Sequence, residues 1–271
     1  MKKKIRILVT GSNGQLGKSF QSLKNFPEYF DIKYTNRDDL DITNMHSLQG
    51  FFSDVSYDFI LNFAAFTDVE KAESEYDQAN RVNSSGLENL AKIGNLFNIF
   101  IIHISTDYVF DGYIDRLYTE KDIENPLNRY GKSKLDGEKK LKLLSSRFII
   151  IRVSWLYSEF NKNFFNTMIH LAKTKKSLSV VSDQISSPTY AVDFSRNLIE
   201  IIKKIYLEHK EKPFQEIFHY SNTGTTSWHN FAKEIFNLMN FSIDIKKIDT
   251  KNLELKANRP CNSSLNSKKI T

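Results

Sequence analysis

Along the first half of the chain, short apolar runs alternate with longer stretches whose apolar positions come at helical spacing. The runs at 5–10, 31–35, 59–63, 100–105 and 148–153 read as strands buried on both faces. Between them, 15–24, 44–53, 76–94 and 129–144 read as amphipathic helices; Gly94 closes the third and Asn125-Pro126 opens the fourth. Parallel strands need crossovers that cover them, so this alternation predicts an α/β fold, a doubly wound parallel sheet of Rossmann type. Beyond 153 the pattern loosens. Strands are expected at 178–181, 217–221 and 243–248, and helices at 190–205 and 228–239.

No Gly/Pro/Ser-rich linker divides the halves. The reading is therefore one unit: a larger part over 1–153 and a smaller C-terminal α/β part over 154–271, with elements interleaved between them. With 271 residues, 40% of them hydrophobic, the chain can bury a sizeable core. No apolar run approaches the roughly 18 residues of a membrane span, and the Met1 start runs within a few residues into a strand. The single cysteine, Cys261, excludes an internal disulfide, and the six histidines lack ligand spacing. A reducing, cytoplasmic setting without a membrane is expected. Net charge is +6, from lysines spread along the chain rather than gathered with aromatics, which argues for a solvated surface and against nucleic acid.

The first strand runs straight into Gly11-Ser12-Asn13-Gly14-Gln15-Leu16-Gly17, which opens the first helix. Glycines at this spacing, on this junction, permit a tight turn and close backbone approach to a pyrophosphate lying on unpaired helix N–H groups. Residues 1–153 thus read as a dinucleotide-binding domain and 154–271 as a substrate-binding part. The second strand ends Tyr34-Thr35-Asn36-Arg37, without the carboxylate that usually takes the ribose hydroxyls of the unphosphorylated cofactor. Arg37 suits a 2′-phosphate and favours NADPH over NADH, unless Asp38 and Asp39 hold it as a surface pair.

Tyr130 and Lys134 stand four residues apart in the fourth helix and project from one face. A free tyrosine has a pKa of about 10; a neighbouring ammonium favours its phenolate and makes Tyr130 a usable acid or base near neutrality. Alone the pattern is common. Its context is the glycine turn and a fourth strand ending Ser105-Thr106-Asp107-Tyr108-Val109-Phe110.

In these features the chain resembles the extended short-chain dehydrogenases/reductases, and within them the dTDP-4-dehydrorhamnose reductase family. The matching stretches are 9–17, 39–43, 62–67 with Val69 and 71–73, Val82-Asn83, 105–112, 126–134, Arg152 with Ser154-Trp155, Asp183-Gln184 with Pro188-Thr189, and Arg259-Pro260 with Asn262-Ser263 and Leu265. The resemblance implies NAD(P)H-dependent reduction of the 4-keto group of a nucleotide-linked 6-deoxy-4-ketohexose. On it, Tyr130 gives the proton, Thr106 hydrogen-bonds the carbonyl oxygen, Lys134 binds the nicotinamide ribose and tunes Tyr130, and Asn83 supports the Lys134 side. Asp41 and Ile42 would flank the adenine, and Ala64, Ala65 and Thr67 would line the cofactor. Tyr108, Trp155 and Arg259 are the expected substrate contacts, with core packing, turn shaping and a surface ion pair as their ordinary alternatives.

Asp107-Tyr108 stands where 4,6-dehydratases carry Asp-Glu, which disfavours elimination. A sugar-nucleotide epimerase and a non-catalytic NADP-binding regulatory subunit are the competing readings. Ser186 replaces a usual glycine and so needs a tolerant backbone angle or a local shift. Relatives continue past Thr271, so residues 257–271 are expected to be loose and Arg259 poorly positioned. No metal is expected, since Lys18-Ser19 at the first helix offers no carboxylate; the resemblance admits a homodimer.

Overall fold

The computed structural model describes residues 4–209 and 212–270; Met1–Lys3 and Thr271, which enter the expectations above, lie outside them. The chain runs β1 (Ile5–Thr10), α1 (Gln15–Gln21), β2 (Phe30–Tyr34), α2 (Met45–Ser53), β3 (Phe59–Asn62), α3 (Val69–Ser74), α4 (Tyr76–Asn80), a π-turn (Arg81–Ser85), α5 (Gly86–Leu96) and β4 (Phe100–Thr106). A 3₁₀ turn (Asp107–Val109), α6 (Arg129–Leu144) and β5 (Arg147–Val153) complete the first half. The second half adds β6 (Leu156–Tyr157), α7 (Phe164–Ala172), β7 (Ser177–Val181), β8 (Ile185–Ser186), β9 (Thr189–Tyr190) and α8 (Ala191–His209). It closes with β10 (Phe214–Tyr220), β11 (Thr226–Ser227), α9 (Trp228–Leu238) and β12 (Asp244–Ile248).

Among the described residues, six strands form one parallel sheet in the order β10-β5-β4-β3-β1-β2. Alternation along each strand divides the core between its faces. Ile7, Val9, Leu61, Ile102 and Ile151 pack against α1 and α8 on one side, through Phe20, Phe194 and Leu198; Leu8, Ile60, Ile101 and Ile150 pack on the other against α5 and α6, through Leu87, Leu90 and Leu141. The crossover after β1 leads outward to β2, whereas that after β3 leads the opposite way to β4. The order therefore reverses between β1 and β3, opening a crevice beyond their carboxyl ends where α/β folds bind ligands.

Residues after 153 do not remain apart from this sheet. β10 pairs with β5 along its whole length and α8 packs against α1. A separate small core of Met168, Val180, Ala232, Ile235 and Phe236 joins α7 and α9 to the two-stranded β7/β12 sheet. The single helix expected over 76–94 is instead α4, the π-turn and α5, and α3 and α7 were not anticipated.

The end of the chain departs from expectation. Residues 257–270 are tied into the fold: Tyr118 N–H donates to the Ser264 carbonyl and Asn266 N–H to that of Tyr118, both at 2.8 Å; Ile185 N–H donates to Cys261 at 2.7 Å. Leu265 is buried with Val109, Phe110, Tyr118 and Leu135. The segment reaches back to strand-end loops laid down earlier, so it needs no later residues to cover it. Ser186 lies buried in β8 and takes no left-handed φ, so its backbone angle is one that tolerates a side chain.

Candidate active site

Beyond the carboxyl ends of the strands lie two adjoining cavities, about 560 and 310 Å³, which share Gly14, Phe63 and Ala65. The smaller, at the β1–β2 side, is lined by Gly11, Asn13, Gly14, Arg37, Asp41, Ile42, Ala64 and Ala65. The larger is lined by Gln15, Leu16, Thr67, Thr106, Tyr108, Tyr130, Lys134 and Trp155, with Trp228, Phe164 and Asn161 from the second half. Every residue expected at the cofactor thus borders one of the two spaces. Asn83 and Arg259 border neither.

The glycine turn has a steric cause. Gly11 sits at φ +66°, and a Cβ there would lie 2.5 Å from Ala64 N, so only glycine lets the turn close against the end of β3. Gly14 caps α1 without a side-chain hydrogen bond, and the first turn holds no acidic residue. The leading N–H groups therefore face the cavity unneutralised. Asn161 spans the two halves here, donating to the Asn13 carbonyl at 2.8 Å and accepting from Lys18 at 2.8 Å.

Helix α6 carries Tyr130 and Lys134. Asn128 caps it, accepting from Gly131 N–H, and Tyr130, Lys134 and Glu138 follow at four-residue spacing on one face. Two close approaches fix its position: a Cβ at Gly131 would lie 2.1 Å from the Tyr108 carbonyl, and one at Gly137 2.2 Å from that of Asn83. Fully buried Glu138 binds fully buried Arg152 of β5 at 2.7 Å and accepts from Ser105 at 2.5 Å, while Glu124 takes the outer side of the guanidinium. A buried charge pair of this kind holds the helix in one register against the sheet.

Tyr130 keeps part of its surface open to the cleft, yet burial pushes its hydroxyl up to about 12, with the Thr106 hydroxyl pulling down and Asp107 pushing up. This opposes the expectation of a phenolate favoured by Lys134. The reason is that the ammonium is turned to the Ile104 carbonyl at 2.8 Å and His103 at 3.2 Å. Burial also brings Lys134 down to about 8, against the pull of Glu138. In this state the tyrosine is a proton donor. Thr106, at the end of β4, donates to Asp107 at 3.2 Å, and burial raises that carboxyl to about 7.

The remaining expectations concern substrate contacts. Trp155 stands at φ +42°, unusual for a bulky residue and costing on the order of 1–3 kcal/mol. It is held by Trp228, whose ring stacks on it at 3.4 Å and 8°, and by Thr189 N–H on its carbonyl. Trp228 is fixed in turn by Gln184, which accepts from its indole N–H at 3.1 Å.

Likeness to known proteins identifies the family. Residues 5–271 match the model of the RmlD substrate binding domain. The dTDP-4-dehydrorhamnose reductase of Aggregatibacter actinomycetemcomitans is 39% identical over 272 residues, covering 98% of this chain and 92% of that protein. The chain belongs to the dTDP-4-dehydrorhamnose reductase family. A crystal structure of such a reductase from Bacillus anthracis str. Ames, in complex with NADP, superposes with a TM-score of 0.90 at 38% identity, covering 98% of this chain and 92% of that one. One from Clostridium acetobutylicum gives 0.89 at 39%, covering 97% and 90%.

Within the dTDP-4-dehydrorhamnose reductase family frame, two expected contacts sit differently. Arg37 pairs with Asp41 at 3.8 Å rather than with Asp38 or Asp39, because Asn36 and Asp39 bond to each other's backbone. Arg259 is bound to Glu70 at 3.0 Å and stands behind Tyr108, whose ionisation its charge favours against burial. Asn83 sits in the π-turn and clamps both Phe66 backbone groups and the Ser133 hydroxyl, so it holds the loop after β3 against α6. Sequence reasoning missed His103, Asn62, Glu138, Asn161 and Trp228. A polar residue within an apolar strand was the available signal for the first two. Among the described residues no three His, Cys, Asp or Glu side chains gather at metal-binding distance, and no helix is long and apolar enough to cross a membrane.

Proposed function

We propose that the chain reduces the 4-keto group of a nucleotide-linked 6-deoxy-4-ketohexose with NADPH, with NADH as the weaker alternative. One observation carries this reading: Thr106, Tyr130 and Lys134 line a cleft continuous with the glycine-turn cavity. The cavities suit a dinucleotide, since an uncapped helix start, the Gly11 turn and Arg37 line one continuous space. Bound NADPH supplies the hydride. The protein's own work is to hold the carbonyl, polarise it and deliver a proton as the alkoxide develops. Thr106 hydrogen-bonds the carbonyl oxygen, and Tyr130, protonated in its resting state, gives its proton to it. Lys134 keeps a donor for the nicotinamide ribose, and the Thr106 hydroxyl, which favours the ionised Tyr130, stabilises the tyrosinate left behind. Trp155 and Tyr108 form walls for the sugar, and Arg259, released from Glu70, takes the diphosphate.

On this reading residues 1–153, joined by α8 and β10, hold the cofactor, and most of the remainder holds the substrate. A reducing cytoplasm suits the exposed thiol of Cys261, and a homodimer is open to test by sedimentation. The decisive assay mixes protein and NADPH with nucleotide-linked 4-keto sugars and follows the reduced nicotinamide absorbance. Oxidation that depends on both keto sugar and Tyr130 is expected. NADPH binding without turnover on any such sugar would instead support a regulatory subunit.

A further inference from the structure

Four buried polar side chains form one line beneath the cleft. Thr10, Asn62 and His103 are register partners across β1, β3 and β4, each about 1% exposed, and Lys134 of α6 continues the row. Thr10 Oγ1 lies 2.7 Å from Asn62 Oδ1, Asn62 Nδ2 3.0 Å from His103 Nδ1, and His103 Nε2 3.2 Å from Lys134 Nζ. The reaction outlined above gives His103 and Asn62 nothing to do, yet both are buried within the sheet.

Counting donors and acceptors leaves this row two states. An ammonium has only donors, so Nε2 beside it must accept; the neutral imidazole then carries its proton on Nδ1 and the Asn62 amide turns its oxygen toward it. A neutral amine gains a lone pair and so admits the reverse order: Nε2–H donates to Lys134, Nδ1 accepts, and the amide turns its nitrogen toward the ring, the orientation seen in the structure. An imidazolium would set two cations 3.2 Å apart without water; burial first, and Lys134 second, hold His103 well below its ordinary range. The other titratable and charged groups around Lys134 are Tyr130 and Glu138 on its own helix, Asp107 beside Tyr130, and Arg152 of β5 bound to Glu138.

We propose that His103 is a positioning residue for the reaction: its Nε2 accepts from Lys134 and holds it as an aimed ammonium, and its tautomer changes when Lys134 loses its proton. In that change Lys134 gives up one proton to solvent, while the imidazole loses one at Nδ1 and gains one at Nε2, so its own count is unchanged. The inference rests on the reductase reading of Lys134. It also explains why the lysine, with Ile104 and His103 taking two of its donors, presents the third to the cleft.

Two substitutions separate the ends of the ring. Asn in place of His103 keeps a polar group near Nδ1 and removes the one at Nε2; Gln keeps an acceptor near Nε2. Hydrogen bonds to charged groups are worth about one to two pKa units. His103→Asn should therefore move the alkaline limb of the kcat profile down by that amount, and His103→Gln should move it much less. A loss that is merely structural would lower kcat at all pH values alike, would not distinguish Asn from Gln, and would overturn the proposal. Nitrogen-15 spectra of histidine-labelled wild-type protein provide the readout that needs no variant to fold. Between about pH 6 and about pH 10 one buried histidine should pass from the Nδ1–H to the Nε2–H tautomer without becoming an imidazolium. A single tautomer throughout, or an imidazolium, would overturn the proposal. A tautomer switch in a protein that turns over no keto sugar would leave the His103–Lys134 pair standing and remove the reductase reading instead.

Discussion

The two ends of the cleft are held in opposite ways. At the sheet end, Lys134, Thr106, Asp107 and His103 are at most 5% exposed and joined by hydrogen bonds. At the other, the Arg37 side chain is 66% exposed and its pairing with Asp41 spans 3.8 Å. Desolvation shifts proton affinities by units, which a reduction that must hand over a proton requires. An exposed ion pair is worth roughly 0–1 kcal/mol, so Arg37 can exchange Asp41 for a phosphate at little cost. On the proposed reading, chemistry is placed where the protein excludes water, and cofactor choice where a charge is easily re-partnered.

If this contrast is right, substitutions at the buried end should cost most. Tyr130→Phe should lower turnover by about 10²–10⁴-fold while leaving NADPH affinity, followed by cofactor fluorescence, nearly unchanged. Unaltered turnover would mean that another group is the acid. Glu138→Ala leaves Arg152 buried with only Glu124 and should lose about 3–5 kcal/mol in urea unfolding. Asp41→Ala, breaking the exposed pair, should lose no more than about 1 kcal/mol; similar losses for both would erase the contrast.

Asp107 tests it through pH. Burial raises its carboxyl from 3.8 to about 7, so between those values the native state keeps a proton that the unfolded chain has released. The stability tied to this group is complete below about pH 4 and falls as pH rises through about 7. Asp107→Asn should remove that decline, leaving the variant more stable than its parent by up to about 4 kcal/mol at pH 8 and no more stable at pH 4. At the exposed end, Arg37→Ala should weaken NADPH by about tenfold and leave NADH unchanged. Equal losses for both cofactors would show that Arg37 serves the loop rather than the phosphate.

The sheet was legible because four of its first five strands are short apolar runs and the first four are each followed by a helical stretch, and the glycine turn marks the crevice. Edge strand β2, FDIKY, alternates and is only half-buried rather than buried on both faces as expected. The break of 76–94 at the π-turn was not legible, because its residues, RVNSS, include no proline or glycine to mark a change of pitch. Helix α7, reading FFNTMIHLA, carries its apolar residues on one side at helical spacing, so it was legible in the pattern although not anticipated. At the site, Tyr130, Lys134 and Thr106 could be found from spacing and family pattern. The environment that tunes them could not. His103 of β4, Arg152 of β5 and Glu138 of α6 are brought near Lys134 only after two strands and a helix are assembled, and the anchoring of residues 257–270 depends on Tyr118 and Ile185, far earlier in the chain.

The stacked indoles of Trp155 and Trp228 have an optical consequence. They are the chain's only two tryptophans, and at 3.4 Å and nearly parallel they absorb as one coupled chromophore rather than two. The native protein should therefore show an exciton couplet in circular dichroism and a quenched emission, both arising from the wall of the cleft. Trp155 follows β5 and Trp228 begins α9, so any occupant that parts them would split the chromophore. The spectrum would then report occupancy of the sugar side without a label, in a band to which no other part of the molecule contributes a tryptophan.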